Sequence, residues 1–137
     1  MVEYVSIDSA RTYYVVFDTR RGARMFWHLF TRKGFDHVFL LSELKNGMTL
    51  VIKPTPSECL IEEWACTTEF AATYLKDDVV SILKYEANFS SLKVYTPRGI
   101  ISCVTAVKYF LGIKAGCLTP YGLYKQLIKL GAIEYGK

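Results

Sequence analysis

The spacing of apolar residues along the chain predicts six strands and one hairpin. Runs rich in β-branched and aromatic residues are typical of strands, and they occur at Thr12–Asp18, Asp36–Leu41, Met48–Lys53, Cys59–Ala65, Val79–Ala87 and Ser91–Thr96. The turn Lys45–Gly47, with Asn-Gly at its centre, separates the second run from the third. Because Asn-Gly is a strong hairpin signal, we expect these two strands to pair.

Two segments in the first half of the chain are predicted as helices. Residues 20–34 repeat apolar side chains at intervals of three and four and end at Gly34, as an amphipathic helix does. Residues 67–78 form the second predicted helix, with Thr67 or Thr68 as its N-cap.

The last quarter of the chain predicts two more helices. One runs from Ser102, a candidate N-cap, to Gly112. The other has Thr119 in the N-cap place, Pro120 at the first helical position and Gly131 at its end. Its predicted buried face consists of Leu123, Leu127, Ile128 and Leu130.

These elements together predict an α+β fold, an antiparallel sheet packed against helices. The 137 residues suggest one domain spanning residues 1–137. A chain of this length buries a substantial core without staples. Hydrophobic residues make up 51% of the chain and charged residues 22%, which argues against disorder.

The net charge and the lengths of the apolar runs limit the kinds of partner that the sequence suggests. The net charge is a mild +4, and its densest basic cluster consists of Arg20, Arg21, Arg24, Arg32 and Lys33. Such a cluster can meet phosphates but is more often a solvated face, so nucleic acid is not the expected partner. The N-terminal stretch does not resemble a signal peptide, and no apolar run approaches the roughly 18 residues of a membrane span. We therefore expect no membrane association.

The four cysteines, Cys59, Cys66, Cys103 and Cys117, do not have zinc-site spacing. Gly-rich phosphate loops are missing from the sequence as well. We expect no metal and no cofactor, and reduced thiols.

Cys103 has two interpretations. It stands where an apolar helix begins, and a helix N-terminus lowers a thiol pKa and offers N–H groups to an oxyanion. A lone cysteine before such a helix is nevertheless usually a small core residue. A nucleophile also needs a base, and the two histidines are His28, inside the basic helix, and His37, at a strand start.

Four stretches carry a resemblance to a known family: "MFWHLFTRKGFDHVFLL", "TLVIKP", "SCVTAVKYFLGI" and "LTPYGLYKQLIKLG". In order and distance they resemble small bacteriophage proteins of the circularly permuted papain-like (NlpC/P60-like) superfamily. The resemblance covers roughly residues 20–56 and 98–131. It implies a permuted papain-like fold with His37 as general base and Cys103 as nucleophile.

One position departs from the family pattern. Relatives tend to carry an acidic residue before the proline of the strand that follows the histidine, and here Lys53 stands in "VIKP". A lysine accepts no hydrogen bond from the imidazole and repels its cation. Asn46 and Glu58 are the candidate substitutes for the third catalytic member.

The resemblance therefore leaves two functions open. The first is a phage-encoded Cys–His amide or acyl hydrolase with weakened or lost activity, acting on a peptide or peptidoglycan substrate. The second is a non-catalytic virion protein, a head–tail or tail component, that binds other virion proteins or its own copies. The second places the protein in the virion, made in the host cytoplasm. Its candidate contacts include Tyr4, Tyr13, Tyr14, Tyr121, Tyr124 and Tyr135.

Overall fold

The apolar runs pair into one six-stranded antiparallel sheet in a computed structural model, which describes residues 10–18, 35, 37–44, 46–54, 59–88, 103–113 and 119–136. The strands are β1 (Ala10–Asp18), β2 (His37–Glu43), β3 (Thr49–Pro54), β4 (Cys59–Trp64), β5 (Ser81–Asn88) and β6 (Ile133–Glu134). Their order across the sheet is β4-β3-β2-β1-β5-β6. Three helices, α1 (Thr68–Leu75), α2 (Cys103–Leu111) and α3 (Pro120–Lys129), complete a mixed α+β domain.

Helices cover both faces of the sheet, so its central strands are buried on both sides. Val15 of β1 and Leu40 of β2 pack with Val107 of α2 and Leu123 of α3 in one apolar cluster. We call this side the α2–α3 face. Alternate residues of the same strands pack with Ala71 and Ala72 of α1 in a second cluster, on the α1 face; they include Val16, Phe39 and Leu41. The continuous apolar runs of β1 and β2 follow from this double burial.

The β2–β3 hairpin is closed by the Asn-Gly turn that the sequence predicts. Gly47 has φ +80°, a conformation that favours glycine because it lacks a Cβ. The Leu44 N–H donates to the Met48 carbonyl at 2.9 Å, and the Met48 N–H donates to Asn46 Oδ1 at 3.0 Å. The turn therefore sets the β2–β3 register, in which Leu41 lies opposite Val51.

Threonine side chains cap two of the helices. Thr67 Oγ1 accepts from the Phe70 N–H at 3.2 Å and begins α1, which settles the choice between Thr67 and Thr68. Thr119 Oγ1 accepts from the Gly122 N–H at 3.0 Å and begins α3. Both bonds satisfy N–H groups that have no partner inside the helix.

Five predicted strands and three predicted helices are confirmed, with bounds that differ by one to three residues at each end of most. The predicted helix over 20–34, the predicted strand Ser91–Thr96 and the Ser102 cap lie outside the described residues. The sequence did not predict β6, because two residues are too few for a periodicity to show. None of the described helices is long and apolar enough to cross a membrane.

One part of the predicted core is wrong. Ile128 and Leu130 are exposed, whereas Leu123 and Leu127, four positions apart, are fully buried. Ile128 is turned about 100° from Leu127 around the helix axis, and Leu130 follows the last helical residue as the C-cap. The buried side of α3 is instead extended by Tyr124, which packs against the same cluster.

We expect Leu40→Ala to lower the free energy of unfolding by about 2–5 kcal/mol, because it leaves a cavity between β2 and the helices. Leu40 is fully buried in a central strand. The matched control is Ile133→Ala, at an exposed strand position, which should change stability by less than about 0.5 kcal/mol. Urea unfolding measures both, and equal losses would contradict the assigned core.

Candidate functional site

Cys103 is the first residue of α2, as the nucleophile hypothesis requires. The helix is held by Val104, Val107 and Leu111, whose spacing of three and four places them on one buried stripe. Cys103 itself is partly buried and packs against this cluster on the α2–α3 face. Its thiol is free. Cys103 therefore lies at a helix N-terminus and also contacts the core, so its location agrees with both interpretations of the residue.

His37 is the first residue of β2 and lies opposite Asp18 of β1. Side chains alternate along a strand, and Val38 and Leu40 pack on the α2–α3 face. His37 therefore projects to the α1 face together with Phe39. Their ring centroids lie 6.3 Å apart, as expected for neighbours on one side of a strand.

The fold thus brings the two predicted elements together but divides their side chains. Helix α2 packs across β2, the strand that His37 begins. Cys103 lies on one face of the sheet, whereas the strand alternation directs His37 to the other. A proton transfer between them requires the imidazole to reach round the end of β2.

Lys53, at the position where the family resemblance leads us to expect an acidic residue, lies on the α1 face, the face to which strand alternation directs His37. Its Nζ is 5.7 Å from the Phe39 ring centroid and 5.5 Å from that of Trp64. The same Nζ is 3.7 Å from Glu62 Oε2, and Trp64 Nε1 donates to that oxygen at 3.1 Å. Both charged side chains are partly exposed, so the ion pair adds little stability. Lys53 is therefore tied to β4 by its two aromatic neighbours and Glu62.

The two candidate substitutes for the third catalytic member have different outcomes. Asn46 is exposed in the β2–β3 turn, where its Oδ1 accepts from Met48. This turn lies beyond the far end of β2, roughly 20 Å along the strand from His37. The amide therefore stabilises the turn. Glu58 lies outside the described residues.

An aromatic cluster joins α3 to the sheet beside β5 and β6. The Phe35 ring is 5.2 Å from both Tyr121 and Tyr124, and Phe17 is 5.5 Å from Tyr124. The Tyr124 hydroxyl donates a hydrogen bond to Glu134 Oε1. This bond, aided by burial, raises the pKa of Tyr124 above its usual value. Sequence reasoning missed Glu134 because β6 was not predicted.

Of the six tyrosines proposed as assembly contacts, two are core residues. Tyr13 and Tyr14 are buried on opposite faces of β1. Burial raises the pKa of Tyr14, whose ring meets Tyr135 edge-on at 5.3 Å between centroids. Tyr121, Tyr124 and Tyr135 are partly exposed, and Tyr4 lies outside the described residues.

Metal binding finds no support in the part of the chain that the structure describes, where no group of three or more His, Cys, Asp or Glu is placed to hold an ion. Comparisons of the chain with protein-family models, with curated proteins and with solved structures give no match. The sequence motifs and the geometry above therefore carry the functional argument.

We expect the free energy of unfolding to fall as the pH rises above about 10, the ordinary pKa of tyrosine, and to fall less in Tyr124→Phe. The folded-state pKa of Tyr124 is raised, so its stabilisation is present below the ordinary pKa and is lost as the pH passes the raised value. Urea unfolding between pH 8 and pH 11 measures the slopes. Tyr74→Phe, at an exposed position, is the control; if it flattened the slope equally, the assignment to Tyr124 would fail.

Proposed function

We propose that this chain is a non-catalytic phage virion component, a head–tail or tail protein built on a permuted papain-like fold. Four motifs in family order support the fold assignment. The α+β sheet with helices on both faces is compatible with it. A shared fold does not fix activity, so the choice between enzyme and assembly protein depends on the site.

One inference from the strand pairing supports this choice: the alternation of side chains along β2 directs His37 to the face of Phe39, whereas Cys103 packs on the α2–α3 face. A thiol nucleophile needs its base within hydrogen-bond reach, about 2.6–3.2 Å or somewhat longer in an empty site. Lys53 adds to the argument, because it puts a cation on the face of His37 where an orienting carboxylate is expected.

Exposed apolar side chains support an assembly role. Phe70 and Tyr74, one helical turn apart on α1, are both more than 60% exposed. Ile61 of β4 and Ile133 of β6 are similarly exposed, at the two edges of the sheet. Aromatic and aliphatic groups on a surface are typical of protein–protein contacts. The expected partners are other virion proteins or further copies of this chain.

The second candidate function is a Cys–His amide or acyl hydrolase acting on peptidoglycan peptides. The observation that favours it is the position of Cys103 at the start of α2. This helix packs on β2, the strand that begins with His37. Cys103 would attack the acyl carbon and form a thioester while His37 takes the thiol proton. His37 would then return a proton to the leaving amine, and water would release the acid.

We expect His37→Ala to change the rate of Cys103 alkylation at pH 7 by less than about twofold, because a base on the opposite face does not generate the thiolate. Iodoacetamide labelling, followed by mass spectrometry of the Cys103 peptide, measures this rate. His28→Ala controls for loss of a histidine elsewhere in the chain.

A fall on the order of tenfold in His37→Ala alone would instead indicate a working dyad. The same distinction follows from turnover on peptidoglycan fragments and simple acyl esters. We expect the chain to show no Cys103-dependent hydrolysis of either substrate. Hydrolysis that is lost in Cys103→Ala would assign the enzyme function.

A further inference from the structure

Strand β4 is the outermost strand on one side of the sheet among the residues that the structure describes. It is six residues long, whereas β6 at the other end has two. Among the described residues, no strand pairs with the outer side of β4. An open edge presents unpaired N–H and C=O groups, which can hydrogen-bond an extended segment as an additional strand.

The side chains of β4 leave apolar groups accessible at this edge. Leu60 is 42% exposed and Ile61 is 61% exposed. Leu60 lies opposite Lys53 and Ile61 opposite Ile52, so each face of the strand carries one accessible apolar group. Charged side chains, lysine above all, and proline commonly blunt sheet edges; β4 contains no lysine or proline, and its charged residues are two glutamates.

Two glutamates give the same edge a charge pattern. Glu62 and Glu63 are exposed on opposite faces, directly after Leu60 and Ile61. Residues that lie opposite each other in paired strands share a face. A complementary antiparallel strand therefore has two consecutive basic residues opposite the glutamates, followed by two consecutive apolar residues. An aromatic residue before them would meet Trp64.

The pattern of charged and apolar side chains on β4 distinguishes between the kinds of molecule that could bind its outer edge. Two β4 strands from separate copies contain no cation, so no antiparallel register places a basic residue of one strand opposite a glutamate of the other. Nucleic-acid phosphates would be repelled by both carboxylates. A basic and apolar segment of a different protein fits both the charges and the exposed side chains.

We propose that the outer edge of β4 binds an extended segment of a partner protein that reads aromatic-basic-basic-apolar-apolar, added antiparallel as a seventh strand. This interaction deepens the assembly role and rests on it. Backbone hydrogen bonds along β4 supply strand pairing. Glu63 selects the first basic residue, and Glu62, which already lies 3.7 Å from Lys53 Nζ of its own chain, adds a weaker preference for the second. Because the rest of the sheet is antiparallel, the added strand continues its pattern.

The test uses the peptide acetyl-Thr-Phe-Lys-Lys-Val-Val-Thr-amide with the full chain. We expect a Kd at or below about 1 mM, with backbone amide NMR shifts concentrated at Leu60–Trp64. The composition-matched peptide acetyl-Thr-Phe-Lys-Val-Lys-Val-Thr-amide places a lysine opposite Ile61 and a valine opposite Glu62. It should bind at least about fivefold more weakly.

Matched protein variants locate the contact. Glu63→Lys should weaken the first peptide about fivefold, since it replaces an attractive pair by a repulsive one. Glu86→Lys, an exposed glutamate of β5, changes the net charge equally and should leave the affinity unchanged. Ile61→Lys should weaken binding, whereas Ile133→Lys, on the other sheet edge, should not.

Several outcomes would overturn the proposal: no binding up to 1 mM, equal binding of the two peptides, shifts centred away from β4, or self-association that Glu63→Lys abolishes. These results are separate from the test of the assembly role itself. Hydrolysis that depends on Cys103 would end the non-catalytic proposal without changing peptide affinity. Failure of the peptide would leave that proposal in place and remove only its β4 contact.

Discussion

The structure depends on the burial of both faces of two central strands. Val15 and Val16 of β1 are each fully buried, one under α2 and α3 and the other under α1. A shift of one residue in pairing would exchange the two sets of side chains, because strand side chains alternate. The two apolar clusters are built from different residues and different helices, so the register of β1 against β2 and β5 is strongly specified. This register decides on which face of the sheet each side chain of the paired strands lies.

This constraint reaches the candidate site. His37 is one residue before Val38, whose burial under the helices is complete, and so it is directed away from them. The same register brings Lys53 to the face of His37, beside Phe39 and Trp64. The faces of both side chains thus follow from the burial of the central strands.

The sequence predicted helices and strands well where local signals such as turns and caps are strong. It predicted poorly those features that depend on contacts between separate elements. Asn-Gly and the runs around it indicated the hairpin, and Thr119 with Pro120 indicated the start of α3. The exposure of Ile128 and Leu130 was not predictable from helical spacing, since the spacing does not say where the sheet lies. Glu134 was missed because β6, with two residues, is too short to show a periodicity. The motifs indicated Cys103 and His37 as the candidate pair and the elements at whose starts they lie. They did not predict the face of His37, which depends on the pairing of β2 with β1.

The strand order also has a consequence for synthesis. β1 to β4 follow one another along the chain, whereas β5, α2 and α3 are added to β1 and β2 from the second half. Among the described residues, Val15 and Leu40 on one side of β1 and β2 are covered by Val104, Leu123 and their helices, which are translated later. Uncovered strands of this kind are prone to aggregate. The order of synthesis thus places the two helices that complete this apolar cluster after the strands that they cover.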